Sequence, residues 1–198
     1  LPLDHAYERL VDSQWMRISH WLKQASYAEV QQAIDFWTAK SQHGSKYFLL
    51  VVTLMTRMRD RIFNPGSKRR ASVLAMLDKG IRATLDAVDL FDPRKPQMEA
   101  RLTWETRKDI VAPILPNAIL VLDVSNFPAE GDDGPGLYLA EASRLGWHHL
   151  ISYNWRGQRF LACNLGPVDT KLRFDAYGSP GDYLASGLDG ERVSVYVH

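Results

Sequence analysis

The chain has 198 residues, of which 45% are hydrophobic and 24% are charged, and its formal net charge is +1. A chain of this size and composition forms one large or two small globular domains, and its near-neutral charge gives no global attraction to nucleic acid or to an anionic membrane. The single cysteine, Cys163, can form neither an internal disulfide nor, alone, a zinc or iron–sulfur site. A reducing, cytoplasmic compartment is therefore expected.

Residues 1–92 contain few glycines and carry helical spacing, which predicts a domain of four helices. In the first helix the apolar positions are Leu3, Tyr7, Leu10, Val11, Ile18 and Leu22. Ser26 followed by Glu29 forms a capping box that opens the second helix, and Gly44 is suited to end it.

The third predicted helix runs from about Ser45 to Phe63. Its first turns, residues 47–52, are apolar all round, which is typical of a helix buried on all sides; a buried strand is the competing interpretation. This apolar run has about eight residues, whereas a membrane span needs about 20, so no membrane partner is expected. The fourth helix begins near Ser67, and Asp92-Pro93 closes it.

Residues 93–116 hold four prolines and a charged centre, and we interpret them as a connector between two domains. From residue 117 onward the chain is rich in glycine, and short apolar runs predict strands and turns. Residues 118–123 predict a buried strand, residues 137–145 a short helix, and residues 171–176 and 192–197 further strands. Two β-type runs, 149–155 and 158–164, flank Arg156-Gly157, which predicts a hairpin.

The last 25 residues, 174–198, are punctuated by glycine and end in a β-branched strand. The glycines are Gly178, Gly181, Gly187 and Gly190. Glycine is needed where the backbone turns with a positive φ, which we expect at Gly181, or where it approaches a neighbouring segment closely. The pattern describes one coil of a stacked strand–turn solenoid whose alternating valines, Val193, Val195 and Val197, point into the stack.

The run Tyr177-Gly-Ser-Pro-Gly-Asp-Tyr183, followed by Gly187-Leu-Asp-Gly190, resembles the glycine-motif β-helix domain of the glutamate synthase large subunit. The same domain occurs in a subunit of formylmethanofuran dehydrogenase and in related formyltransferase complexes. Residues 154–166 are similar to the hairpin that enters this domain in stand-alone versions. The resemblance covers roughly residues 117–198. None is found in residues 1–116.

The helical spacing of residues 1–92 and the resemblance of residues 117–198 together predict an α+β fold, in which an N-terminal helical domain is followed by an α/β segment leading into the first coil of a β-helix. A solenoid needs about three stacked repeats to bury its core. One coil therefore predicts a truncated β-helix, or a coil that packs on the helical domain or on a partner.

In this family the synthase chemistry lies in other domains, which hold FMN, iron–sulfur clusters and an amidotransferase cysteine. The resemblance implies a non-catalytic scaffold or docking subunit, or a fragment of one, without cofactors of its own. Its partners would be enzyme subunits or catalytic domains that carry FMN and iron–sulfur clusters. A subunit of another oxidoreductase or formyltransferase complex with the same domain is the alternative.

Other candidate sites are weaker. The spacing Gly178-x-x-Gly181 lacks the following helix of a phosphate loop, and the pair His148-His149 lacks the further ligands of a metal site. Cys163 lies in an apolar run without a recognisable base. The basic run 57–70 could serve a small binding module, although clustered cations without stacking aromatics are a weak sign of nucleic-acid binding. The acidic loop 130–133 lacks calcium-loop spacing. No catalytic or metal-binding residue is predicted.

Overall fold

A computed structural model describes residues 3–41, 45–163, 165, 171–188 and 192–198. The chain forms two compact units, Leu1–Ala87 and Val88–His198. The first is helical and the second contains a five-stranded parallel sheet, which confirms the predicted α+β class. The boundary differs from the predicted one, because residues 93–116 contain a strand of the sheet and belong to the second unit rather than to a connector.

The first unit consists of four described helices. They are α1 (Leu3–Gln24), α2 (Tyr27–Ser41), α3 (Ser45–Asp60) and α4 (Arg70–Asp86). The capping box before α2 is confirmed: the Ser26 N–H donates to Glu29 Oε2 at 2.7 Å, and the Glu29 N–H donates to Ser26 Oγ at 3.2 Å. The run 47–52 is helical, so the strand interpretation is wrong. The predicted helix end at Gly44 lies outside the described residues.

Helices α2 and α3 both lie close to α4 at Gly80. A Cβ atom at this position would lie 2.4 Å from Ile34 Cγ2 and 2.9 Å from Met55 Sδ. Leu77, Met55 and Ile34 are almost fully buried. A glycine in the middle of α4 is therefore explained by packing rather than by a turn.

The second unit is built on parallel strands arranged in the order of the sequence. The strands are β1 (Glu99–Leu102), β2 (Ile119–Asp123), β3 (His149–Arg156), β4 (Leu172–Ser179) and β5 (Val193–Val197). A 3-10 helix (Arg107–Asp109) lies between β1 and β2, and α5 (Pro135–Arg144) lies between β2 and β3.

The predicted hairpin at Arg156-Gly157 is wrong. Both edges of β3 are taken by parallel neighbours, β2 and β4, so residues 158–163 cannot fold back on β3. They form a turn that is tied to the segment after β2 instead. The Gln158 side chain donates to the Val124 carbonyl at 3.1 Å, and the Arg159 N–H donates to the Ala129 carbonyl at 2.8 Å.

One face of the sheet, called the core face below, carries the hydrophobic core of the second unit. Alternate strand residues such as Leu102, Leu120, Leu150 and Phe174 lie there. The connections bring their apolar side chains to the same face, among them Phe127, Leu139, Leu161 and Leu188. Sequential parallel strands with connections on one side are the arrangement of a strand–turn solenoid, so the stacking extends beyond the one coil predicted from the sequence.

Among the described residues, no helix combines the length and the apolar character that crossing a membrane requires.

Candidate docking edge

The two edges of the sheet differ in how their backbone groups are satisfied. At β1, the preceding residues lie along the outer side of the strand: the Arg101 N–H donates to the Asp89 carbonyl at 2.8 Å, and the Phe91 N–H donates to the Arg101 carbonyl at 2.8 Å. The chain itself therefore covers the β1 edge at Arg101.

In the described part of the chain, β5 pairs with β4 alone. The Leu172 N–H donates to the Arg192 carbonyl at 3.0 Å, and the His198 N–H donates to the Ala176 carbonyl at 2.8 Å. Alternate residues of a parallel strand point their backbone groups the same way, so the N–H and C=O groups of Val193, Val195 and Val197 face the open edge. Unpaired groups of this kind template pairing with a further strand.

The alternating valines of β5 behave only partly as predicted. Val193 and Val195 are partly buried and pack against the core. Val197 is 43% exposed, so this end of the row of valines is left largely uncovered. The side chains of β5 are less buried than those of the inner strands, because in the described part of the chain β5 has a neighbouring strand on one side only.

The predicted glycine motif is explained by different local causes at different positions. Gly178 has a φ of +124°, and Gly187 has a φ of +71°. Gly181 lies outside the positive-φ region, contrary to expectation; a Cβ atom there would lie 2.5 Å from the Gly157 carbonyl oxygen, so close approach requires glycine. Gly190 lies outside the described residues.

The sequence analysis missed an internal repeat. Residues 160–165 read Phe-Leu-Ala-Cys-Asn-Leu, and residues 183–188 read Tyr-Leu-Ala-Ser-Gly-Leu. We call residues 157–163 the inner turn and residues 180–188 the outer turn. Phe160 and Tyr183 have φ values of +62° and +64°, and Ala162 and Ala185 have φ values of +58° and +52°. The two turns therefore share an unusual left-handed backbone pattern at equivalent positions.

The two turns stack on each other. The Phe160 N–H donates to the Asp182 carbonyl at 3.1 Å, and the Ala185 N–H donates to the Leu161 carbonyl at 2.8 Å. The rings of Phe160 and Tyr183 lie parallel, with centroids 5.0 Å apart. Backbone hydrogen bonds and aromatic stacking thus continue from the strands into the turns, as in successive coils of a solenoid.

A buried ionic cluster lies on the face opposite the core, beside β5. Asp175, which is 3% exposed, accepts hydrogen bonds from Arg173 Nε at 2.7 Å and from Arg173 Nη2 at 3.0 Å. His149 Nε2 lies 3.3 Å and His198 Nε2 lies 3.2 Å from its carboxylate oxygens. We call these four residues the Asp175 network. It links β3 and β4 to the residue that follows β5.

The charge of Asp175 is maintained by its partners. Burial by itself raises the pKa of this carboxyl, but the hydrogen bonds from His149, His198 and Arg173 outweigh it and hold the pKa well below its ordinary value. A carboxylate held ionised in this way ties strands together only while its partners remain in place. The network therefore anchors the end of the edge strand.

The other sequence candidates form no second site. Cys163 is buried, its thiol donates to the Tyr183 carbonyl at 2.7 Å, and burial raises the pKa of this thiol. His149 belongs to the Asp175 network, whereas His148 is exposed. The part of the chain that the structure describes contains no cluster of three or more histidine, cysteine or acidic residues that could hold a metal ion.

The basic run 57–70 is largely paired within the first unit. Arg57 lies 3.0 Å from Glu8, Arg59 pairs with Asp78, and Arg61 pairs with Asp12. The buried Lys68 donates its ammonium group to the Ala25 carbonyl. These cations mainly join helices, so the run offers less positive surface than its sequence indicates.

Comparisons of the chain with protein-family models, with curated proteins and with solved structures found no match.

Proposed function

We propose that this chain is a non-catalytic docking subunit, or a docking fragment, of a glutamate-synthase-like enzyme complex in the cytoplasm. Its partners would be the subunits or catalytic domains that hold FMN and iron–sulfur clusters. The resemblance of residues 177–190 to the glycine-motif domain supports the complex, and the open β5 edge beside a covered β1 edge supports docking. The edge asymmetry carries the proposal.

Docking at β5 follows from the energetics of an exposed edge. A partner strand added beside Val193, Val195 and Val197 would satisfy their outward N–H and C=O groups, which is the basis of recognition by strand addition. It would also cover Tyr196 and Val197, each 43% exposed. Residues 89–91 occupy the β1 edge at Arg101, which favours growth of the sheet at β5.

Proline at the centre of β5 tests the proposal. Val195→Pro removes an N–H group that faces the open edge, which an edge strand tolerates but a docking strand does not. Val195→Thr is the matched control, because it keeps the N–H group and the branched shape. We expect size-exclusion chromatography followed by mass spectrometry to find the Val195→Pro chain free of its natural partners. The Val195→Thr chain should elute together with them.

Two results would contradict docking at β5. One is assembly of Val195→Pro at the wild-type level. The other is strong hydrogen-exchange protection of the outward amides of residues 193, 195 and 197 in a monodisperse monomer, since this edge would then already be covered. Glutaminase and glutamate synthase assays of the pure chain should give background rates, and clear turnover would refute the non-catalytic role.

The glycine-motif domain also occurs in subunits of a second class of enzyme complex. A role in another oxidoreductase or formyltransferase complex would use the same β5 edge, because the glycine motif of residues 178–190 is common to these complexes. Mass spectrometry of the isolated assembly distinguishes the two by the identity of the catalytic subunits.

A further inference from the structure

We draw no further inference here: the strongest candidate, the polar cluster of Glu105, Asp123, Asn126 and Asn154 at the carboxyl ends of β1, β2 and β3, is an acidic cluster whose carboxylates accept hydrogen bonds from neighbouring residues, and nothing else in the described part of the chain points to a ligand there.

Discussion

The inner and outer turns of the second unit have the same backbone and different surroundings. Phe160 and Tyr183 share a positive φ, and their rings stack, yet Leu161 is buried where Leu184 is exposed. The repeated pattern of residues therefore sets the conformation of each turn, whereas burial depends on whether another coil follows. Stability in stacked repeats is a sum of intrinsic and neighbour contributions, and in the described part of the chain the outer turn has a neighbouring turn on one side only.

The test with the largest expected effect removes the charge of Asp175, which anchors the end of β5 beyond the outer turn. Asp175→Ala leaves Arg173 without a carboxylate that accepts two of its hydrogen bonds, and removing one partner of a buried ion pair costs about 3–5 kcal/mol. Asp182→Ala in the outer turn is the control, because its side chain is 75% exposed and a surface substitution changes stability by roughly 0.5 kcal/mol or less.

Urea unfolding read by hydrogen exchange of residues 149–156 would report the second unit by itself. Equal losses of stability for Asp175→Ala and Asp182→Ala would mean that the Asp175 network does not anchor the end of β5.

Alanine substitutions at the two equivalent leucines, Leu161 and Leu184, measure how much a stacked neighbouring turn contributes to the free energy of unfolding. Leu161→Ala should lower the free energy of unfolding by about 2–5 kcal/mol, as for other buried leucines. Leu184→Ala should cost well under about 1 kcal/mol in the isolated chain, since its side chain is half exposed. Urea unfolding read by hydrogen exchange of residues 149–156 measures both losses. A cost at Leu184 equal to that at Leu161 would show that burial does not separate the two turns.

Two glycines of the outer turn are required for different reasons, Gly181 for close approach and Gly187 for its backbone conformation. Gly181→Val places a branched side chain against the Gly157 carbonyl, 2.5 Å from a Cβ atom, and overpacking of this kind costs about 1–3 kcal/mol. Gly187→Asn should be nearly neutral, because Asn tolerates a φ of +71° and because Asn164 occupies the equivalent position of the repeat. An unchanged melting temperature of Gly181→Val would refute the close-approach explanation.

Local interactions made much of the fold predictable from the sequence. The capping box at Ser26 and Glu29 and the apolar spacing of the helices act within one or two turns, and they were interpreted correctly. The strand at residues 119–123 and helix α5 were likewise indicated by short patterns.

The features that were not predicted from the sequence depend on the order of the strands in the sheet. The hairpin prediction failed because the two runs around Gly157 gave no sign that β3 pairs with β2 and β4 instead. The Asp175 network joins residues up to 49 positions apart, His149 to His198, and only the parallel register brings them together. The repeat of residues 160–165 and 183–188 was the available signal, and a search for internal similarity would have found it.

The smallest expected effect concerns two carboxyls on the face opposite the core. Glu99 of β1 lies in the same row as His149 and Arg173, and burial raises its pKa to about 7 from an ordinary value of 4.5. The pKa of Asp175 is lowered instead. Glu99 on the β1 edge thus favours its protonated form, whereas Asp175 on β4, next to the open edge strand, favours its charged form.

The signs of these shifts predict a pH dependence with two separate windows. Because the folded pKa of Glu99 is raised, the native state binds this proton more tightly than the unfolded chain, and stability falls as the pH rises from about 4.5 to about 7. Asp175 contributes stability above its ordinary pKa of 3.8, which is lost only as the pH falls further. Glu99→Gln mimics the protonated carboxyl and should flatten the upper window by on the order of 1 kcal/mol, allowing for the solvent screening of a partly exposed group. Urea unfolding of the wild type and of Glu99→Gln between pH 4.5 and 7.5 measures this difference, and Glu105→Gln is the control on an exposed carboxyl whose pKa is lowered instead. Parallel stability profiles for all three proteins would show that the carboxyl at the covered edge does not set the pH response.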